Sequence, residues 1–280
     1  MSKVSIIIPC YNAGTLLIEA VQSALAQTYD DLDIVIVDDG STDPITQQIL
    51  EQATWPRTRI IRQANAGPAA ARNRAITVAT GHYILPLDAD DTIEPEYVAK
   101  AAAVLDASPN VGIVYCKANK FGAECGNWDL PDFTLRELVI DNIIFVTALY
   151  RRADWETVGG YNEKLRHGME DYEFWIKIVH LNREVIQLPE HLFNYRILNK
   201  SRTTSFHDSR SHVVDTYAEI FRTNIDFFAK HANFIFEHRF DLNRDLSHWR
   251  LRYGRIEALL NRHPWLLRVA RRLGRPPMGS

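Results

Sequence analysis

Carboxylates gather at three points of this chain, and their spacing limits the chemistry they can serve. Asp88-Ala89-Asp90-Asp91 packs three acids into four residues. Charges this dense repel one another and need a counter-charge. A hard divalent cation such as Mg²⁺ or Mn²⁺ supplies one, and such ions often share their ligand shell with phosphates. The plainer reading is a strand-to-helix turn in which Asp91 or Thr92 is a cap. Asp38-Asp39-Gly40-Ser41-Thr42-Asp43 is the second cluster. Asp43 before Pro44 reads as a helix cap, which leaves Asp38 and Asp39 unexplained by capping. An Asp at a strand end can accept hydrogen bonds from a base N–H or a ribose hydroxyl, and Asp39 is the candidate. Glu170-Asp171 opens a helical pattern. The helix dipole favours an ionised Asp171 there, and such a group can take a proton from a hydroxyl; a simple cap is the alternative.

Other polar groups stand at related places. Tyr11-Asn12 follows the first apolar run, where a tyrosine either stacks on a nucleobase or packs in the core. Asn65-Ala66-Gly67 precedes a helix opening at Pro68, whose N–H groups favour an anion. Arg72 lies one turn in and can reach a phosphate. For Arg72, and more so for Arg74 beside Asn73, a solvated face is the competing reading. Cys10, Cys116 and Cys125 show no metal-ligand spacing and read as reduced. Cys10 has no neighbouring base and is expected to be buried filler, not a nucleophile.

These groups need a frame. Val4 to Pro9 is a continuous β-branched run, as in a strand buried on both faces. A helix over Leu16 to Leu25 follows, then a strand over Asp33 to Val37, a helix from Pro44, and a short strand over Arg59 to Arg62. A helix from Pro68 to Ala79, a strand over Tyr83 to Leu87 and a helix from Pro95 to Leu105 continue the alternation. That pattern predicts an α/β fold with a mostly parallel central sheet and helices on both faces. Ligands bind such sheets beyond the carboxyl ends of the strands, where Tyr11, Asp39, Asn65 and the 88–91 acids all fall. Val111 to Cys116 and Phe145 to Arg151 read as further strands. Asn119 to Asp132 reads as loop, and Glu184 to Leu188 and His191 to Arg196 as two short strands. From His207 onward only helix is expected, broken near Pro264.

The 280 residues are 46% hydrophobic and 24% charged, which excludes a disordered chain. A net charge of -3 gives no reason to expect nucleic acid as a partner. No run approaches the ~20 apolar residues of a membrane span. The start passes directly into a strand pattern, so a cytoplasmic protein is expected, able to rest on the inner face of the membrane. Residues 249–275 carry eight arginines against Glu257, interleaved with apolar side chains. Such a stretch either binds an anionic membrane surface or packs as a helical appendage, on the domain or in an oligomer.

Taken together, the motifs resemble the family 2 glycosyltransferases, which have the GT-A fold. The matching segments are Val4 to Asn12, Val37 to Asp43, Asn65-Ala66-Gly67 with Ala70-Ala71-Arg72-Asn73, Leu87 to Asp91, Gly159-Gly160-Tyr161-Asn162-Glu163, and Glu170-Asp171. The resemblance covers roughly residues 3 to 205. It implies a GT-A catalytic domain over 1–205, with a nucleotide half (1–116) and an acceptor half (117–205), and a helical extension over 206–280. It implies that Pro9, Tyr11 and Asp39 hold the nucleobase, usually uracil, beside Asn12, Asn65, Gly67 and Arg72. Asp88-Ala89-Asp90 would carry the ribose and a Mn²⁺ or Mg²⁺ ion. Asp171 would be the catalytic base, with Glu170 near the acceptor. His207 is a candidate further metal ligand, as in several relatives, and a lone His near a helix start is also commonly structural. The activity implied is inverting transfer from a nucleotide diphosphate-sugar to a saccharide or lipid-linked saccharide, as in bacterial surface polysaccharide assembly. Two rival readings are a sugar-phosphate nucleotidyltransferase and a non-catalytic nucleotide-sugar binder. The first wants a basic Gly-rich loop after the opening strand, where Tyr11-Asn12-Ala13-Gly14-Thr15 has no basic residue.

Overall fold

The opening β-branched run forms β1 (Val4–Cys10), and every residue of it but Pro9 is buried. In chain order there follow α1 (Leu16–Leu25), β2 (Leu32–Asp38), α2 (Pro44–Gln52), β3 (Thr58–Arg62), α3 (Pro68–Val78) and β4 (Tyr83–Pro86). Next come β5 (Thr92–Ile93), α4 (Tyr97–Ala107), β6 (Val111–Gly122), β7 (Gly126–Trp128), α5 (Leu135–Ile140) and β8 (Leu149–Arg151). The chain continues through α6 (Arg152–Val158), α7 (Glu170–His180), β9 (Glu184–Ile197), α8 (Arg210–Thr223), α9 (Ile225–Lys230) and α10 (Ala232–Arg262). This computed structural model describes residues 2–199, 202, 206 and 208–262. His207 and the tail beyond 262 therefore lie outside the described residues.

The strands form one sheet in the order β3-β2-β1-β4-β8-β6-β9-β5, with β7 paired to β6. The pairs among β3, β2, β1 and β4 are parallel, and β8 joins antiparallel to both β4 and β6. β6 and β9 are parallel along most of their length, with register shifts between Val111 and Ala118. The parallel half places the ends of β1, β2 and β3 and the residues after β4 along one edge.

Three expectations change in the second half. The two short strands expected over 184–196 are one strand, β9, which bends through the irregular register instead of breaking. The loop expected over 119–132 is a hairpin in which Ala118 pairs with Trp128 and Lys120 with Gly126. The strand expected over 145–151 is confined to Leu149–Arg151. Upstream of it, side chains take the carbonyls that a ladder would use: Trp175 Nε1 donates to Ile144 and Tyr97 Oη to Thr147. Contacts group residues up to Lys230 as one compact unit and place His231 onward in another. α8 and α9 fall in the first of these units.

Candidate active site

A cavity of about 570 Å³ opens at the carboxyl edge of the parallel strands. Pro9, Tyr11, Asn12, Asp39, Asn65, Gly67, Arg72, Asp88, Ala89 and Asp90 all line it, so one space gathers every residue expected at the nucleotide. Asp39 is 3% exposed. Its Oδ1 accepts from Gln63 Nε2 and the Ala66 amide, and its Oδ2 from the Gly67 amide. A carboxylate has about four acceptor positions, so one is left for a ligand donor. The loop that supplies these amides is fixed by close approach. A Cβ on Gly40, at φ +72°, would stand 2.8 Å from the Asn65 nitrogen.

Tyr11 is 52% exposed at the mouth, available as a stacking face and not part of the core. Asn12 faces the same cavity, but its side chain is occupied. Its Oδ1 accepts from the Thr42 and Asp43 amides, which ties the Tyr11 loop to the start of α2. Asp38 proves to be a turn cap, accepting from the Ser41 amide. Asp43 caps α2 through Thr46, as the sequence expects. Burial, then Asp38, push the Cys10 thiol up to about 12, which suits filler and not a nucleophile.

Asp88 and Asp90 reach the cavity from the turn after β4. Burial and then Asp88 push the Asp90 carboxyl up to about 6. Asp91 is 1% exposed, and burial, then Asp90 and Asp88, raise its carboxyl well above the usual range; its Oδ1 accepts from the Arg196 amide. Hard oxygen donors that crowd one another in this way fit a Mn²⁺ or Mg²⁺ ion, and Asp88 and Asp90 are the residues that would hold one. Among the described residues no three His, Cys, Asp or Glu side chains converge on one point. The remaining ligands would come from phosphate and water, as is usual for such ions.

Arg72, one turn into α3, stands where two cavities meet. It is 1% exposed; Nη2 donates to Asp88 Oδ1 at 2.6 Å and Nη1 to Glu170 Oε1 at 2.7 Å. Its Nε, buried, has no hydrogen-bond partner among the described residues. Arg202 Nη2 donates to the same Glu170 oxygen at 2.6 Å. Burial alone would raise the Glu170 carboxyl, but Arg202 and Arg72 outweigh it and hold it well below the usual range. Glu170 is thus bound in a double ion pair that holds Arg72 in place.

The second cavity, about 330 Å³, lies beyond that pair. Asp171 faces it from the first turn of α7. Met169 precedes that helix at φ +66°, a strained conformation for a non-glycine residue, and turns the chain so that Glu170 and Asp171 lead it. Asn142 Nδ2 donates to Asp171 Oδ2 at 3.1 Å, and the Tyr172 amide to Oδ1 at 2.8 Å. Burial and then Glu170 push the Asp171 carboxyl up to about 6, a value that suits a group exchanging a proton near neutral pH. The 159–163 loop is held by Asn73, whose amide serves Trp155, Tyr161 and Glu163. Gly160 must be bare, since a Cβ would meet Asn73 Oδ1 at 2.7 Å. Arg74 is exposed, as a solvated face predicts.

One wall of the second cavity is aromatic. Trp128, Phe145, Phe193 and Tyr195 line it, with ring centroids of Trp128 and Tyr195 4.6 Å apart and of Phe145 and Phe193 4.5 Å apart. The sequence alone singles out none of these as a site residue, nor Asn142 or Arg202. Trp128 lay in the segment read as loop, and only the hairpin brings it to β9. Four residues, Arg72, Asp88, Tyr195 and Arg202, line both cavities.

A mixed sheet with an acid cluster past β4, and with this pair of cavities at the edge of its parallel half, is the GT-A fold of glycosyltransferases. The chain belongs to glycosyl transferase family 2, whose sequence profile matches residues 5–161. Chondroitin synthase of Escherichia coli is 34% identical over 182 residues, covering 62% of this chain and 26% of that protein. The chain thus spans about a quarter of that relative's length. The fold is similar to S. aureus TarS 1-349 in complex with UDP-GlcNAc, at TM-score 0.67 and 23% identity over 81% of this chain and 66% of that one. It is also similar to the mannosyltransferase PcManGT of Pyrobaculum calidifontis in complex with GDP-Man and Mn²⁺, at TM-score 0.61 and 22% identity over 81% and 69% of the two chains.

Proposed function

We propose that this chain transfers a sugar from a nucleoside diphosphate-sugar to a hydroxyl of a saccharide, with inversion at the anomeric carbon. The observation that carries the reading is the meeting of two cavities at Arg72, one with Asp39, Asp88 and Asp90, the other with Asp171. The nucleoside lies against Tyr11 and Asp39, and its diphosphate reaches toward Arg72 and the start of α3. Asp88 and Asp90 would hold a Mn²⁺ or Mg²⁺ ion, which would supply charge neutralisation for the leaving diphosphate. Asp171 accepts the proton of the acceptor hydroxyl, whose oxygen forms the new bond to the anomeric carbon. The bond from that carbon to the diphosphate oxygen breaks, and the diphosphate leaves with the electron pair beside Arg72. One displacement needs one base, which accounts for inversion. The aromatic wall supports a saccharide acceptor, since the C–H faces of a sugar ring stack on such surfaces.

Uridine is the expected nucleoside, supported by the sequence resemblance and by the UDP-GlcNAc complex of TarS. The lipid carrier, the anionic membrane surface and the surface-polysaccharide setting rest on the resemblance and the basic tail alone. Among the described residues no helix is long and apolar enough to cross a membrane. A thermal-shift screen of UDP, GDP, TDP and CMP, with and without Mn²⁺, tests the reading. Binding to the folded state raises the melting temperature in proportion to RT ln(1 + [L]/Kd). A metal-dependent rise with one nucleoside diphosphate is expected, and no rise with any of the four removes the nucleotide site.

A further inference from the structure

α10 runs for 31 residues, about 46 Å at the α-helical rise. A helix that long which leaves its apolar residues in water lacks the packing that normally stabilises helices in proteins. Leu242, Leu246 and Trp249 are 56%, 49% and 54% exposed and share one line along the helix, while the exposed Phe236, Phe240 and Leu251 lie off that line. Their spacing is not random. Ile235, Arg239, Leu242, Leu246, Trp249 and Tyr253 follow one another at alternating steps of four and three, and Ile256 and Leu260 continue the series in the sequence. This is the a/d repeat of a left-handed coiled coil, with Arg239, Leu246 and Tyr253 at a and Ile235, Leu242 and Trp249 at d. Arg239 is the one charged residue in the stripe, and a single polar a position is a device that fixes register.

We propose that α10 is the dimerisation helix of this protein, pairing with α10 of a second copy as a parallel, in-register coiled coil. The flanking charges select that partner. In a parallel pair each g residue faces the e residue five positions on in the other helix. Asp245 then meets Arg250 of the second copy, a contact between unlike charges. Asp245 within one helix has only a loose contact with its neighbour Arg244, at 3.6 Å.

Light scattering on the full-length protein tests the pairing, and twice the 32.1 kDa chain mass is expected. Asp245→Arg alone sets Arg against Arg, Arg250→Asp alone sets Asp against Asp, and each variant should dissociate toward monomer. An equimolar mixture of the two should recover the dimer as a heterodimer, which also shows that both variants are folded. A monomeric wild-type protein overturns the proposal, whether or not it floats with vesicles containing anionic lipid. A dimer indifferent to both charge reversals overturns it as well.

Discussion

Around Tyr11 the cavity proposed for the donor takes its polar groups from strand ends and helix starts; around Asp171 the cavity proposed for the acceptor takes its walls from a hairpin, an irregular segment and a helix. In the first, most of the lining comes from backbone amides and from short side chains one or two residues past a strand. In the second it comes from large side chains that are distant in sequence, Trp128 on β7, Phe145 and Asn142 between α5 and β8, and Tyr195 on β9. Backbone-built sites tolerate little change, because the main-chain path is itself the ligand-binding surface. Side-chain-built sites change with single substitutions. The contrast teaches where this protein is fixed and where it is adjustable.

The sharpest way to break that separation is at the base. Asp171→Asn should lower kcat by about 10²- to 10⁴-fold while nucleotide affinity stays at the wild-type value. Parallel loss of both, by transfer assay and calorimetry, would mean that the cavities are one site. The same carboxyl sets the pH response. It must be ionised to accept a proton, so activity should fall as pH drops through about 6, and that limb should vanish in the Asn variant. Arg72→Met should breach the boundary itself. It leaves Asp88 without its buried cation and Glu170 with Arg202 alone, at a cost of about 3–5 kcal/mol in urea unfolding, and it should weaken nucleotide binding too. Asp39→Ala should act on the donor side only, reducing nucleotide affinity about ten- to a hundredfold with acceptor KM unchanged. Trp128→Ala should do the reverse, raising acceptor KM by about tenfold and leaving the nucleotide Kd as it is. A Trp128 variant that alters nucleotide affinity instead would assign the aromatic wall to the donor sugar.

The same contrast explains what the sequence made legible. Buried parallel strands read as unbroken apolar runs, so β1, β2 and β4 and the polar residues after them could be located from the chain alone. Gathering those residues at one edge needed only the general rule for such sheets. The acceptor side follows no comparable rule. Nothing in Gly126-Asn127-Trp128 announces a strand, because β7 is three residues long and exists only by pairing with β6. Phe145 lies where Trp175 and Tyr97 take the backbone bonds that a strand would have used. Glu170 was legible as a site residue but not as the anchor of Arg72, since that pairing spans 98 positions in the chain.

The tip of the β6–β7 hairpin, Ala123-Glu124-Cys125, is open to solvent and flanked by Gly122 and Gly126, both at positive φ. Tips of this kind accept insertions and deletions readily. Lengthening or trimming one would shift Trp128 without disturbing the amides around Asp39. Acceptor preference could therefore diverge among descendants of this chain in small steps while the donor remained the same. For an engineer, the hairpin is the segment to exchange first.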